Sequence, residues 1–329
     1  MLAAVAAACA VQVYAPAGRA KDAPVHGPGL VLSGAGLSAQ YPQFLHWIDA
    51  RIAHPGGTRA GNLVIITASG DRYYSDTFYR YSRLASVREV KIPGCAARAD
   101  VERVTRYVEH AQAVLFAGGD QANYVPLKGG KLVASIEDVY RRGGIVGGGS
   151  AGLAIQGAVI FDSVAADKVF GDDRDVATPD AVRNPYEPAI SFTRNLFDWP
   201  ALRDAITDTH FARRDRFGRL GAFMAREHCA YGVGVDEGAM LLVDARGIAT
   251  LALRPKKKGE YTPRGAYILS AGVARRLVPG QPLLYSVRVL HLTQEGATYD
   301  FRTHTGSGVS YRVTIDGARS PPYTRGPYQ

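Results

Sequence analysis

One serine of the chain sits where a nucleophile can be held. Gly147-Gly148-Gly149-Ser150-Ala151-Gly152-Leu153 contains G-x-S-x-G at Gly148, Ser150 and Gly152, after a β-type run at Ile145–Val146 and ahead of a helical stretch. A sharp strand-to-helix turn exposes such a hydroxyl and aims the next backbone N–H, that of Ala151, at the place where an oxyanion would develop. Only small neighbours leave room for it. A serine of this kind needs a base. Of the eight histidines, His46 and His110 lie in helical stretches, and His26 and His304 in loop-like text. His210 differs: it stands in Asp208-Thr209-His210-Phe211 at a helix entrance, followed by Arg213, Arg214, Arg216 and Arg219. Glu237, in Asp236-Glu237-Gly238 after the β-type run Gly232–Val235, is the candidate carboxylate to orient that base. The order Ser150, His210, Glu237 is not the Ser…Asp…His order of α/β-hydrolases. Connectivity therefore excludes that fold, while the triad geometry, which recurs on unrelated folds, stays open.

Other segments carry weaker signals. Phe116-Ala117-Gly118-Gly119-Asp120-Gln121 closes another β-type run. Gly118 and Gly119 let backbone N–H groups approach a ligand and add to the oxyanion site, Gln121 can donate to a carbonyl or carboxylate, and Asp120 equally suits a helix cap. Asp208 and His210 can be read as a metal pair, but no third ligand is evident; neither metal nor cofactor is expected. Gly34-Ala35-Gly36-Leu37-Ser38-Ala39 fits GxGxxA. The acidic residue that dinucleotide binding wants about twenty positions on is missing, since the second strand ends late, at Thr67-Ala68-Ser69-Gly70-Asp71.

The elements that must position these groups alternate. β-type runs at Leu30–Ser33, Leu63–Thr67, Val87–Ile92, Val114–Phe116 and Ile145–Val146 are separated by helical stretches at Gln40–Ala53, Ser75–Leu84, Val101–Ala111 and Val133–Arg142. This predicts an α/β fold with a mostly parallel sheet, whose function collects at the carboxyl ends of its strands. A polar, proline-containing insertion over 167–200 reads as a surface loop, either a lid or inert. A helix is expected from Phe211 to Glu227. Short β runs follow at Gly232–Val235, Ala239–Val243, Thr250–Leu253, Ala266–Leu269 and Leu284–Leu292, with an irregular tail. The expected organisation is a leader over 1–27, an α/β catalytic domain over 28–245 and a β-rich extension of the same domain over 246–329.

The 329 residues, 47% hydrophobic and 21% charged, exclude a disordered tail, a disulfide miniprotein and a coiled coil. The net charge of +9 invites a nucleic-acid reading. No recognition motif supports it, and Lys256-Lys257-Lys258 suits a solvated turn. Eight lysines stand against 31 arginines, the residue suited to bidentate contact with carboxylate or phosphate. Cys9, Cys95 and Cys229 form no CxxC and argue against a disulfide scaffold or zinc ribbon. The Ala-rich start, without a basic n-region, reads as a secretory signal, implying a secreted or periplasmic protein, with a disordered leader on a cytoplasmic enzyme as the alternative. No later apolar run is long enough to span a bilayer.

Taken together, FAGGDQ at 116–121, GGGSAGL at 147–153, DTHFARRDRFGRL at 208–220 and GVGVDE at 232–237 resemble the cyanophycinase and peptidase E family of serine peptidases over most of residues 28–245. The resemblance implies a flavodoxin-like, three-layer α/β/α fold related to class I glutamine amidotransferases. It implies Ser150 as nucleophile, His210 as base and Glu237 as its orienting residue. Gln121, Asp208, Thr209, Arg214, Arg216 and Arg219 would fall on substrate-pocket positions. The implied reaction is hydrolysis of cyanophycin, an aspartyl-arginine polyamide, to β-aspartyl-arginine dipeptides, in a family that suggests homodimers. An aspartyl dipeptidase of the peptidase E kind and a non-catalytic ligand-binding relative are the alternatives. The chain departs from the cyanophycinase pattern in its elbow, where Gly149 replaces the usual Thr, in Thr209 where Gln is usual, and in the 167–200 insertion.

Overall fold

The computed structural model describes residues 8–39, 41–70, 72–171, 175–255 and 265–328. The first seven residues of the expected leader, the expected helix start at Gln40, Asp71, three residues of the insertion and the Lys256-Lys257-Lys258 turn lie outside them.

In chain order the elements are β1 (Gln12–Val13), β2 (Ala17–Gly18), β3 (Gly29–Ser33), α1 (Pro42–Arg51), β4 (Asn62–Thr67), α2 (Ser75–Tyr81), β5 (Ser86–Lys91), α3 (Arg98–Glu102), α4 (Thr105–Glu109), β6 (Ala113–Phe116), α5 (Lys131–Arg141), β7 (Ile145–Gly149) and α6 (Ala151–Ala154). Then come β8 (Val159–Phe161), α7 (Val164–Phe170), α8 (Thr178–Arg183), β9 (Phe192–Arg194), β10 (Ala205–Asp208), α9 (Phe217–Glu227), β11 (Tyr231–Val235) and β12 (Ala239–Val243). The chain closes with β13 (Ile248–Leu253), β14 (Ala266–Ser270), β15 (Ala274–Arg276), β16 (Leu284–Leu292), β17 (Thr298–Asp300), β18 (Thr305–Gly306) and β19 (Val309–Asp316).

The strands β5-β4-β6-β7-β3 pair in parallel, and β12 joins antiparallel to β3. The runs of β3, β4, β6 and β7 are apolar at nearly every position because both faces are covered, whereas β5, toward the side of the sheet, carries Arg88, Glu89 and Lys91. Alternate residues separate cleanly. Leu30, Leu32, Val64, Ile66, Val114, Phe116 and Val146 pack with Val108, Leu132, Ile136 and Val139 of α4 and α5. Val31, Leu63, Ile65, Leu115 and Ile145 pack with Phe44, Ile48 and Phe78 of α1 and α2. The period of two in the strands thus builds two cores and a three-layer α/β/α body.

A second sheet is distinct from the first: β8, β10 and β11 are parallel, and β14, β16, β15 and β19 extend it antiparallel. The β-rich C-terminal part is therefore divided, with β13, β17 and β18 continuing the first sheet and the rest the second. β8 and β10 are three and four residues long, too short to stand out as sequence runs.

Four local expectations are corrected. The 101–111 helix breaks into α3 and α4, because Val104 and Tyr107 N–H bond to the carbonyls of Val101 and Val104 in tight three-residue turns. The insertion is no plain loop: Val176, Ala181, Val182, Ala189 and Ile190 are buried with Phe217, Leu220 and Phe223 of α9, but are too sparse among polar residues to read as periodic. The helix expected from Phe211 begins only at Phe217, since His210 and Asp215 have φ of 49° and 46°, which ends helical propagation. Finally, the leader is folded from Cys9 onward. β1 and β2 pair antiparallel with β5, a disulfide joins Cys9 to Cys95, and Lys21 N–H donates to Asn62 Oδ1 at 3.0 Å. This segment covers what would be an open sheet edge. Cys229 is free and buried. Among the described residues no helix is long and apolar enough to cross a membrane.

Candidate active site

The elbow forms because β7 must turn at once into α6. Ser150, between them, takes φ 53° and ψ −120°, a region a non-glycine residue occupies at a cost of about 1–3 kcal/mol. Its N–H donates to Ser33 O of β3 at 3.1 Å, and its carbonyl accepts from Leu153 and Ala154 N–H, both at 2.9 Å. Glycine is needed on both sides: a Cβ at Gly148 or Gly152 would lie 2.5 or 2.2 Å from the Phe116 carbonyl oxygen. Any side chain there would push the elbow off β6.

His210 is delivered from the end of β10, in the second sheet. Its N–H donates to Gly34 O at 2.8 Å, and Gly34 itself lies so close to the next loop that a Cβ would meet Asp236 O at 2.1 Å. This crossing joins the two sheets at the site. His210 Nε2 lies 2.8 Å from Ser150 Oγ, and its Nδ1 lies 2.6 Å from Glu237 Oε1. With Glu237 ionised, Nδ1 carries the proton and donates, leaving Nε2 to accept from the serine hydroxyl. Burial holds the His210 imidazole below its ordinary pKa; the Glu237 hydrogen bond opposes this, and Arg214 and Arg216 reinforce it.

The loop after β6 lies against the serine, since a Cβ on Gly118 would be 3.2 Å from Ser150 Cβ and 3.7 Å from its Oγ. Gly119 has φ 129°, open to glycine alone. Ala151 opens α6, so its N–H is one of the helix's first, unsatisfied by intrahelical carbonyls. Ser150, His210, Glu237, Ala151 and Gly118 thus come together, while Gly119 continues the loop toward Ser69.

The residues expected to meet substrate divide. Gln121 donates to Ser163 Oγ at 2.6 Å and Phe161 O at 3.3 Å, which ties the β6 loop to β8. Asp208, expected as a partner for a substrate guanidinium, is instead buried and gripped by Arg219 through Nε and Nη2, both at 2.8 Å, and by Arg216 Nη1 at 3.3 Å. Arg216 Nη1 also donates to Thr209 O and Oγ1 at 2.9 Å. Asp175, from the insertion, binds both Arg216 and Arg219. The reason is saturation: two guanidinium groups face two carboxylates, and a buried charge is tolerable only when so paired. Burial pushes Arg216 down to about 10 against the pull of its carboxylates. In this arrangement Asp208, Thr209, Arg216 and Arg219 are internal partners, not free contacts. Arg214 is exposed, with no carboxylate partner among the described residues.

Two residues escaped the sequence reading of the site. Asp175 stands in polar text with no local pattern to single it out. Asp236, read only as part of the strand end beside Glu237, is fully buried; its Oδ1 accepts from Glu237 N–H at 2.9 Å and Arg213 N–H at 3.2 Å. Its Oδ2 is buried without a hydrogen-bond partner among the described residues. Burial pushes its carboxyl up to about 6. A cavity of about 470 Å³ lined by Asn62, Ser86, Arg88, Tyr107 and His110 opens at the amino ends of β4 and β5, the opposite end of the sheet from Ser150.

Fold and site define the class: an α/β/α protein in which a serine on a strand-to-helix elbow, a histidine and a glutamate share one hydrogen-bonded line. The chain is similar to cyanophycinases. It is 28% identical over 261 residues to those of Synechococcus elongatus and Thermosynechococcus vestitus, covering 75% of this chain and 73% of each relative. It is 25% identical over 267 residues to that of Geminocystis herdmanii, covering 76% and 85%. No family model matches the chain. Among solved structures it aligns with a peptidase from an acI-B1 actinobacterium, at 16% identity and a TM-score of 0.46, over 85% of this chain and 98% of the other. A peptidase E-type protein from Listeria monocytogenes EGD-e aligns at 13% identity and a TM-score of 0.42, over 70% and 100%. The similarity to cyanophycinases spans three quarters of the chain and supports a peptidase of that family.

Proposed function

We propose that this chain is a serine-type exopeptidase that hydrolyses cyanophycin, multi-L-arginyl-poly-L-aspartate, to β-aspartyl-arginine dipeptides. The observation that carries the reading is the unbroken line Ser150 Oγ, His210 Nε2, His210 Nδ1, Glu237 Oε1, at 2.8 and 2.6 Å. Ser150 Oγ attacks the carbonyl carbon as its proton passes to His210 Nε2, and the oxyanion meets the N–H groups of Ala151 and Gly118. His210 returns the proton to the leaving amine, and water, activated by the same imidazole, releases the acyl group. The substrate assignment rests on the similarity to cyanophycinases. Arg214, exposed beside His210, is the guanidinium left to hold a substrate carboxylate.

One observation favours a second reading, an aspartyl dipeptidase of the peptidase E kind. Asp175 and Asp208 neutralise two of the three arginines, which suits a substrate with fewer carboxylates. The Cys9–Cys95 disulfide suits an oxidising compartment, but the pairing of β1 and β2 with β5 argues against removal of residues 9–27 as a cleaved signal. The test incubates wild type and Ser150→Ala with cyanophycin granules and with a panel of aspartyl dipeptides. Clearing by wild type alone is expected. Dipeptide cleavage without clearing selects the second reading, and no hydrolysis by wild type of either substrate overturns both.

A further inference from the structure

The turn that carries His210 is short and strained. Between β10 and α9 it has left-handed residues at His210 and Asp215, and only a few main-chain bonds of its own: Arg214 N–H to His210 O at 2.9 Å, Asp215 N–H to Ala212 O at 3.2 Å and Arg216 N–H to Phe211 O at 2.9 Å. The chain's last residues meet it there. Tyr323 and Tyr328 hydroxyls both donate to Asp215 Oδ1, each at 2.8 Å. The same two oxygens accept the first N–H groups of α9, Tyr328 from Phe217 at 3.0 Å and Tyr323 from Gly218 at 3.1 Å. A helix start leaves such N–H groups without intrahelical partners, so the tyrosines cap α9 from more than 100 residues away. Their rings complete the clamp. Tyr328 lies edge-on to Phe211, the residue after His210, and to Phe217, with centroids 6.1 and 6.0 Å apart; Tyr323 lies edge-on to Phe217 at 5.7 Å. Tyr311 OH in turn anchors the tail through Pro327 O at 2.6 Å.

We propose that Tyr323 and Tyr328, acting through Asp215, are positioning residues that hold His210 in line between Ser150 and Glu237. The inference builds on the proposed triad. Its geometric part is independent of substrate. Each link is a hydrogen bond or ring contact to the turn itself, so losing the hydroxyls frees the turn while the rings still fill the core. The burial of both phenols beside the Asp215 charge raises their pKa far above the ordinary tyrosine value, which keeps the hydroxyls as donors.

The experiment compares the full chain with Tyr323→Phe/Tyr328→Phe, Asp215→Ala and Asp215→Asn. It follows the low-field imidazole Nδ1–H resonance of His210 by NMR, with near-UV circular dichroism and Tm as measures of folding. The double variant and Asp215→Ala are expected to broaden or lose the resonance with circular dichroism unchanged. Asp215→Asn, which keeps an acceptor oxygen and tolerates the left-handed backbone, is expected to retain it. On whichever aspartyl substrate the wild type cleaves, kcat should fall at least tenfold in the double variant, with KM within twofold. An unaltered resonance in the double variant overturns the clamp, as does its loss only in step with global unfolding. Should Tyr323→Phe/Tyr328→Phe fold poorly, Tyr328→Phe alone gives the same readout. A wild type that cleaves nothing but loses the resonance on mutation refutes the proposed reaction and leaves the clamp standing.

Discussion

Replacing Asp236 by Asn should make the protein more stable and less active. In the fold the Asp236 carboxyl is pushed up to about 6 by burial, with the Glu237 charge adding to the effect. An unfolded aspartate titrates near 4, so the ionised group costs the folded state about 3 kcal/mol. The stability associated with this carboxyl is fully present below about pH 4, where both states are protonated, and is lost as pH rises through about 6. The amide of Asn carries no such charge. Asp236→Asn should therefore raise Tm at pH 8 by about 6 °C, taking roughly 2 °C per kcal/mol for a chain of this size, and the two proteins should converge near pH 4. The cost is retained for what Oδ1 does: it accepts from Glu237 N–H and from Arg213 N–H, linking the loops that carry Glu237 and His210. A neutral amide oxygen is the weaker acceptor by about 1 kcal/mol or more, so kcat should fall several-fold with KM little changed. Differential scanning calorimetry at pH 4, 6 and 8 beside steady-state kinetics decides it. A lower Tm for the variant at pH 8, or a difference independent of pH, refutes the reasoning.

Four further outcomes are expected. Because burial holds His210 below its ordinary pKa, the acid limb of kcat/KM should fall below the ordinary histidine range; Glu237→Gln, which removes the charge opposing that shift, should lower kcat by about two to four orders of magnitude. Asp175→Asn leaves Arg216 and Arg219 facing Asp208 alone; with the Asp175 side chain 36% exposed, the loss should be about 1–3 kcal/mol, discounted from a fully buried pair, read by urea unfolding. Cys95→Ser should open residues 9–18 to proteolysis without changing activity, because the disulfide tethers β1 and β2 to the loop after β5, three strands along the sheet from β7; unchanged cleavage kinetics would show that strand pairing alone holds the segment.

The parallel body was legible because most of its strands are apolar on both faces and its helices repeat their apolar positions every three to four residues, as Leu132, Val133, Ile136 and Val139 do in α5. The elbow was legible for a different reason: Gly148 and Gly152 are imposed by one carbonyl, that of Phe116, and such crowding leaves a local signature. The second sheet was not, because β8 and β10 owe their existence to neighbours distant in sequence rather than to a pattern of their own. Likewise nothing within 167–200 announces that Asp175 will reach Arg216 and Arg219, or within the tail that Tyr323 and Tyr328 will meet Asp215. These are partners across the fold, and a linear pattern carries no trace of them.

The arginines show how far partnership outweighs composition. Arg216 and Arg219 with Asp175 and Asp208 sum to no charge, so the cluster contributes nothing to the chain's basic excess. Burying four charges is costly, and a hydrophobic cluster of the same volume would serve stability as well. The ion pairs add direction. Asp208 ends β10 and Arg219 lies in α9, so their two-point contact fixes the two elements flanking the His210 turn from one side, as Tyr323 and Tyr328 fix it from the other. A left-handed histidine cannot hold itself against a serine on a different sheet; its alignment has to be imposed from outside the turn. The preference for Arg over Lys at this locus follows, because only a planar fork can hold Asp208 at two points while a third nitrogen reaches Asp175.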